Sequence, residues 1–363
     1  GSGQLIVTAD GRLENTGRMD SAYTSVATVA GNIDNSGKLL GRKLLMASAG
    51  ADFNHSGDGM AQNEAATSPL TDQMHTAFNI GSGMAQDTGS ASQVFINAKQ
   101  NVKLIYGASG SRIASNASVT AADGSVTKGQ VVISAGRNVG LSALTAVNAS
   151  GPVQISSGGD VYGSWNSVSS ASDGVSILAK NGISLSGSSV EGNTVHLETG
   201  AAFEESVSRI AITGGSIIGK QQTAVIATGD LNLSTAGTNG VKSTYGSIFL
   251  HSGKNISLAG GTKVLASKHL TASAAESINF QGVSGATADS NQVASTLSGG
   301  DTTLSAGKVV LQGGNVEAGG SIEIEASKSD VLIHALPDLT LNTHAAFSLN
   351  NSCLLYTSPS PRD

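Results

Sequence analysis

One five-residue pattern recurs three times near the start of the chain and decides the fold. The copies are Leu13-Glu14-Asn15-Thr16-Gly17, Ile33-Asp34-Asn35-Ser36-Gly37 and Phe53-Asn54-His55-Ser56-Gly57. Each copy begins 20 residues after the one before it. A constant period of this size is typical of repeat architectures, in which each repeat packs only on its neighbours. The pattern therefore predicts a solenoid.

A second repeat follows further along the chain. It is clearest at Ile96-Asn97-Ala98-Lys99-Gln100-Asn101-Val102-Lys103-Leu104 and at Ile133-Ser134-Ala135-Gly136-Arg137-Asn138-Val139-Gly140-Leu141. Most steps between successive copies equal the first period or exceed it by a few residues, and the longer steps, such as the one from Ile96 to Ile133, predict loop insertions. Looser copies begin at Ile155, Ile177, Leu197, Ile226, Leu250, Leu270, Leu304 and Ile324.

Each copy contains short segments of alternating apolar and polar residues, separated by Gly, Asn, Ser or Asp. This arrangement indicates strands and turns, without a helical spacing of comparable strength. A hairpin meander would share the local pattern, but only a solenoid explains the constant period. We therefore predict an all-β fold, a parallel β-helix (β-solenoid) of about 20-residue coils stacked about 4.8 Å apart.

The alternation also predicts which side chains point into the core. The expected turn glycines are Gly136, Gly253 and Gly307, where glycine can supply a positive φ. Asn15 and Asn35 either stack as an internal amide ladder or lie in solvated turns. The expected interior residues are Ile133, Val139, Leu141, Ile177, Ile183, Leu185, Leu250, Ile256, Leu258, Ile322, Ile324 and Val331.

Composition narrows the range of functions. The 363 residues include 47 Gly, with 13% charged and 4% aromatic residues, which indicates a thin aliphatic core. The formal net charge is −6 and the Lys and Arg residues are scattered singly, so we expect neither a nucleic-acid partner nor a polybasic membrane patch. No apolar run is long enough to span a bilayer. We expect no cofactor.

The repeats divide the chain into four predicted regions. Residues 1–57 carry the first repeat and residues 94–350 the second, separated by an irregular insertion at 58–93 that contains Gly-Met-Ala-Gln twice. Residues 351–363 form a non-native tail, because the string from Cys353 onward resembles a translated sequencing adapter. Without that tail the chain has no cysteine, which excludes disulfides and thiolate chemistry. We interpret the first residues as internal to a longer protein.

The first repeat resembles the haemagglutinin repeats of filamentous haemagglutinin and of contact-dependent inhibition effectors, which are large exoproteins of two-partner secretion. Later coils, such as residues 246–260, are similar to the second repeat class of those proteins. The resemblance implies a right-handed parallel β-helix, secreted through an outer-membrane transporter and displayed on the Gram-negative cell surface. Such a fibre serves adhesion or virulence, through an unidentified receptor or polysaccharide, or carries a toxin. The chain lacks the family's secretion domain and toxin module.

The rival hypothesis is a β-helical polysaccharide lyase or hydrolase, which needs paired carboxylates. The acidic doublet Glu204-Glu205 fits a solvated turn better than a catalytic pair. Gly158-Gly159-Asp160 and Gly299-Gly300-Asp301 are similar to a calcium-binding repeat but do not continue it, which indicates turns. We therefore predict no enzyme and no catalytic, cofactor or metal residue.

Two further groups of residues leave alternatives open. Trp165 and Tyr162 could form a small platform for carbohydrate, although packing is the commoner role of such residues. The histidines have no metal-ligand spacing, so exposed strand or turn positions are expected, with a minor alternative in which His251 and His269 approach each other. The seven histidines are His55, His75, His196, His251, His269, His334 and His344.

Overall fold

A computed structural model describes most of the chain. The described residues are 3–56, 93–105, 111–115, 118–120, 122–200, 208–235, 240–281, 294–312, 315–334, 340–343 and 347–351. Nearly all of the predicted insertion at 58–93 and of the predicted tail lies outside them, so both stay predictions. The chain separates into two compact units, 1–200 and 201–363. Within the described residues of both units, every regular element is a β-strand.

The first unit consists of short strands, a few of them 11 or 12 residues long. Their bounds are β1 (Gln4–Ala9), β2 (Leu13–Asn15), β3 (Arg18–Thr28), β4 (Ile33–Asn35), β5 (Lys38–Ala49), β6 (Phe53–Ser56), β7 (Gln93–Ala98), β8 (Val102–Ile105), β9 (Ser111–Ser115), β10 (Ser118–Thr120), β11 (Val126–Lys128), β12 (Gln130–Ala135), β13 (Val139–Leu141), β14 (Thr145–Ala149), β15 (Val153–Ser157), β16 (Asp160–Ser164), β17 (Ser167–Ser170), β18 (Gly174–Ala179), β19 (Gly182–Ser186) and β20 (Ser189–Thr199).

Parallel pairing stacks these strands into three faces. The first face runs β1, β3, β5, β7, β12, β15, β18, β20. The second face runs β2, β4, β6, β8, β13, β16, β19. The third face includes β9, β14, β17 and β20. Because each strand pairs with the equivalent strand one coil later, this unit is a parallel β-helix, as predicted.

The second unit repeats this arrangement. Its strands are β21 (Arg209–Thr213), β22 (Ser216–Ala227), β23 (Leu231–Ser234), β24 (Val241–Ser243), β25 (Ser247–Ser252), β26 (Asn255–Leu258), β27 (Lys263–Ala266), β28 (Leu270–Gln281), β29 (Ser295–Ser298), β30 (Thr302–Gln312), β31 (Asn315–Ala318), β32 (Ile322–Ala326), β33 (Val331–His334), β34 (Thr340–Thr343) and β35 (Phe347–Asn351). Its three faces begin with β22–β25–β28, with β21–β23–β26 and with β24–β27–β29, all in parallel.

The long step from Ile96 to Ile133 in the second repeat has a structural cause. Ile96 pairs directly with Ile133, so the segment between them forms a single enlarged coil. The antiparallel hairpin β10–β11 supplies part of the excess length, with Ser118 opposite Lys128. The predicted loop insertion is therefore confirmed here, and the stacking of the flanking coils continues on either side of it.

The core consists mostly of aliphatic side chains, joined by Phe53 and Phe280, and inward-facing and outward-facing positions alternate along the strands. All twelve predicted interior residues are buried, from Ile133 to Val331. In β12, for example, the buried residues Val131, Ile133 and Ala135 alternate with the partly buried residues Gln130, Val132 and Ser134. Two of the predicted repeat starts are offset. Val225, and not Ile226, pairs with Leu250, and Leu250 in turn pairs with Ala272, while Leu270 pairs with Ile248. Because the interior positions are apolar at every second residue, the sequence alone defines the start of a repeat only to within one or two residues.

The turn glycines serve a different purpose from the predicted one. None of Gly136, Gly253 and Gly307 has a positive φ, and Gly307 lies inside β30. A Cβ on Gly136 would lie 2.2 Å from Lys99 O, and one on Gly253 would lie 2.0 Å from Thr228 O. Glycine is required there because the backbone of the preceding coil is too close for any side chain.

Candidate functional site

Three polar residues form a ladder inside the second face. Asn15, Asn35 and His55 occupy equivalent positions in β2, β4 and β6. Asn15 Nδ2 donates to Asn35 Oδ1 at 2.6 Å, and Asn35 Nδ2 lies 2.9 Å from His55 Nδ1. Asn15 and Asn35 are buried, so the internal amide ladder is confirmed and the solvated-turn alternative is wrong. Each rung satisfies polar groups that burial would otherwise penalise.

His55 corrects the expectation that the histidines are exposed. Its side chain is fully buried at the end of the ladder. Burial lowers the pKa of His55 to about 3 because the charged imidazolium is poorly solvated there, and the hydrogen bond with Asn35 O opposes this only in part. The imidazole is therefore neutral at physiological pH, and it replaces the asparagine found at the same position of the earlier copies.

The other described histidine side chains lie on the surface but do not come together. Register places His251 beside Ser273, whose Oγ is 2.8 Å from His251 Nδ1. The backbone N–H of His269 instead contacts Ser247, and its Nδ1 is 3.4 Å from Asp301 Oδ2. The predicted alternative in which His251 and His269 approach each other is therefore wrong. Among the described residues no three His, Cys, Asp or Glu side chains could hold a metal ion.

Several predicted candidates lie outside the described residues. They include the doublet Glu204-Glu205, His75, His344, Cys353 and the side chain of His334. Both Gly-Gly-Asp stretches are described, and both contain bends between strands, as expected for turns. At the first of them, the backbone N–H of Asp160 donates to Asn138 Oδ1 of the preceding coil.

A charged groove of about 380 Å³ crosses the outer surface of the second face. Glu14, Asp34, Asn54 and Lys103 stand side by side in it, one from each successive coil. Asp34 accepts hydrogen bonds from Arg12 and from Asn54 Nδ2, the latter at 2.7 Å. Glu14 and Asp34 are not adjacent in the sequence, because they lie a full repeat apart, and they become neighbours only through the register of the strands. Their shared position in the repeat was the signal.

The charged side chains of this groove are paired, either with one another or with Asp52 beside it. Lys103 Nζ lies 2.7 Å from Asp52 Oδ2. Burial raises the pKa of Asp52, but hydrogen bonds from Lys103 and Asn101 outweigh that effect, so its pKa is lowered. The hydrogen bond to Asp34 raises the pKa of Arg12. Acid–base catalysis needs one carboxyl group with a raised pKa beside an ionised one. The pKa of Asp52 is instead lowered, which is the opposite of what an acid catalyst needs.

A second groove, of about 450 Å³, lies on the first face of the same unit. Its lining residues come from successive coils and are mostly small or hydroxylated. Ser134 and Ser156 pair in register, and Lys180 and Glu198 add one charge of each sign. Such a surface offers hydrogen-bonding groups to a polar ligand.

A strained corner follows the second face of the first unit. Leu144 and Trp165 are the two described non-glycine residues with positive φ, 56° and 51°. Leu144 N donates to Trp165 O, and Trp165 N donates to Ser186 O, so they turn the same corner in successive coils. Gly187 follows Ser186 and has φ 60°. For a leucine or a tryptophan this backbone conformation costs about 1–3 kcal/mol.

The aromatic side chains at this corner lie over glycines of the neighbouring coils. A Cβ on Gly187 would lie 2.7 Å from Trp165 Cδ2, and one on Gly140 would lie 2.8 Å from the Tyr162 hydroxyl. Trp165 stays 69% exposed and Tyr162 45% exposed. Tyr162 lies within β16, whereas Trp165 occupies the turn that follows this strand. Each ring packs on a glycine while much of it faces solvent, so the packing alternative is confirmed in part and the carbohydrate platform stays a prediction.

The chain matches no family model, no curated protein and no solved structure. Within the part of the chain that the structure describes, no helix is long and apolar enough to cross a membrane.

Proposed function

We propose that this chain is a segment of the fibrous shaft of a large bacterial exoprotein, either an adhesin or a carrier of a contact-dependent toxin. The observation that carries the proposal is the coil-by-coil parallel pairing within each unit. Each coil contacts only its neighbours, so a chain can lengthen by adding coils without needing a larger core. This mode of growth suits a long fibre that extends from a cell.

The two repeat types support the more specific part of the proposal. Their order along the chain resembles that in haemagglutinin-repeat exoproteins, which use an outer-membrane transporter and are displayed on the cell surface. The ladder of Asn15, Asn35 and His55 explains the first repeat physically, because each copy places a polar side chain at the same internal position. On this proposal the partners are the transporter during export and an unidentified receptor or polysaccharide on the target cell.

A second candidate function is polysaccharide cleavage, and the groove that contains Arg12, Asp34 and Lys103 favours it. Carboxylates and cations on one face of a β-helix could bind and cleave an acidic sugar chain. The lowered pKa of Asp52 argues against acid catalysis by that residue. We therefore place this function second.

Sequencing the DNA on both sides of the coding region tests the shaft proposal. We expect a single reading frame several times longer than this chain, with further repeats of a similar period and a neighbouring gene for an outer-membrane transporter. A frame that closes shortly beyond Asn351 without additional repeats would contradict the proposal.

An activity assay separates the two functions. The purified protein is incubated with acidic and neutral polysaccharides, and new reducing ends or unsaturated sugars are measured. The shaft proposal predicts no release above a heat-denatured control. Release by the parent protein that the Asp34→Asn variant abolishes would establish the enzyme, since this change removes the negative charge while keeping the size and shape of the side chain.

A further inference from the structure

The strained corner is unusual because glycine would fit it without strain. Leu144, Trp165 and Gly187 occupy it in three successive coils, each with positive φ. The third coil shows that glycine serves this position, and glycine adopts positive φ at little cost. In the first two coils the chain instead carries two large apolar side chains in a conformation that they disfavour.

Burial in the core does not explain these side chains. Leu144 is 64% exposed and Trp165 is 69% exposed. The Trp165 ring lies against Gly187, and most of the remaining surface of this side chain is open to solvent. Strained backbone that presents exposed aromatic surface is a feature of ligand-binding positions.

The surroundings of the corner define the chemistry of a ligand. Ser142, Ser164, Ser184 and Ser186 lie around it, and all four are partly or fully exposed. Lys103 pairs in register with Gly140, and its ammonium group forms an ion pair with Asp52. Asp160 is the charged residue on the outer face of β16. The surface therefore combines an aromatic ring with hydroxyl groups and little net charge.

We propose that Trp165, flanked by Tyr162 and Leu144, binds a neutral polysaccharide. The apolar face of a sugar ring stacks on the indole, and the serine hydroxyls exchange hydrogen bonds with its hydroxyl groups. The three side chains expose roughly half of the ~800 Å² that each side of a typical protein interface buries, which is too little for a folded protein partner. A membrane surface would call for unpaired basic residues, whereas Lys103, the basic side chain described near this corner, is paired with Asp52.

This inference goes beyond the proposed shaft, since it assigns a binding site to a segment whose proposed role is mechanical. It also stands independently of that role. The arrangement of the flanking genes does not depend on Trp165, so failure of one proposal leaves the other open.

Binding to soluble dextran, mannan, galactomannan and mixed-linkage β-glucan tests the site. Trp165 is the single tryptophan of the chain, so its fluorescence reports directly on the corner. We expect at least one of these polysaccharides to shift the emission of the parent protein and to retard it in a native gel that contains the polysaccharide. Trp165→Gly should weaken the retardation at least tenfold, with a Tm equal to or above that of the parent because the strain is relieved.

Two further variants separate stacking from folding. Trp165→Leu keeps an apolar side chain at the corner, as Leu144 does one coil earlier, and should also lose binding. Tyr245→Gly removes another exposed aromatic residue, which is 61% exposed in the second unit, and should bind like the parent. The proposal is overturned if no polysaccharide of the panel binds, if Trp165→Leu retains the parent's affinity, or if phosphatidylcholine vesicles shift the emission more than any polysaccharide does.

Discussion

The Ile256→Asp variant is expected to have a free energy of unfolding about 5 kcal/mol lower than that of the parent protein. Ile256 is fully buried in β26, where it stacks between Leu231 and Ile278 of the adjoining coils. An aspartate there loses the packing of the isoleucine and places a carboxylate among aliphatic side chains. Urea unfolding followed by circular dichroism measures the change.

The adjacent residue supplies the matched control. Ser257 is the next residue of β26 and is only partly buried, because alternation turns it outward. Ser257→Asp should change the free energy of unfolding by no more than about 0.5 kcal/mol. If Ile256→Asp unfolded at the same urea concentration as the parent, the assignment of inward and outward positions would be wrong.

Acidification from pH 7 to pH 5 is expected to reduce the stability of the first unit by about 2 kcal/mol through His55 alone. The unfolded chain protonates this histidine below its ordinary pKa of 6.5, whereas the folded chain holds it neutral until about pH 3. Between these values the unfolded state binds more protons. The stabilising contribution of the neutral imidazole is thus complete above pH 6.5 and is lost as the pH falls towards 3.

The His55→Asn variant isolates this effect. Asparagine occupies the same ladder position at Asn15 and Asn35, so the variant keeps an amide rung without a titrating group. Unfolding free energies at pH 7 and pH 5 are compared for the two proteins. The parent should lose about 2 kcal/mol more than His55→Asn between these pH values. Equal losses would mean that His55 is accessible to protons in the folded state.

The fold was predictable because stacking converts a sequence period into spatial contact. Ile133, Ile155 and Ile177 recur at a constant interval in the sequence and pair with one another in the structure. Alternation around these positions then assigns the interior. The offset of Ile226 and Leu270 shows where this reasoning fails, since a face with apolar residues at every second position accepts a neighbouring register equally well.

The candidate sites were less predictable because they depend on contacts between coils. His55 occupies the asparagine position of the repeat, but its burial follows from the ladder and not from its residue type. Glu14 and Asp34 are distant in sequence and become neighbours only through register. The positive φ of Leu144 and Trp165 could not be predicted from their residue types, because glycine is the residue normally expected in that conformation.

Disulfide trapping between neighbouring coils tests the stacked register most directly. Ser134 and Ser156 point outward from β12 and β15 and pair in register, one coil apart. A protein with Ser134→Cys, Ser156→Cys and Cys353→Ser should form an intramolecular disulfide under mild oxidation, because paired strands bring such positions within bonding distance. Moving the second cysteine to Gln154, which pairs with Val132, should abolish most of the cross-link. Equal or stronger cross-linking of the Ser134 and Gln154 pair would contradict the parallel β-helix.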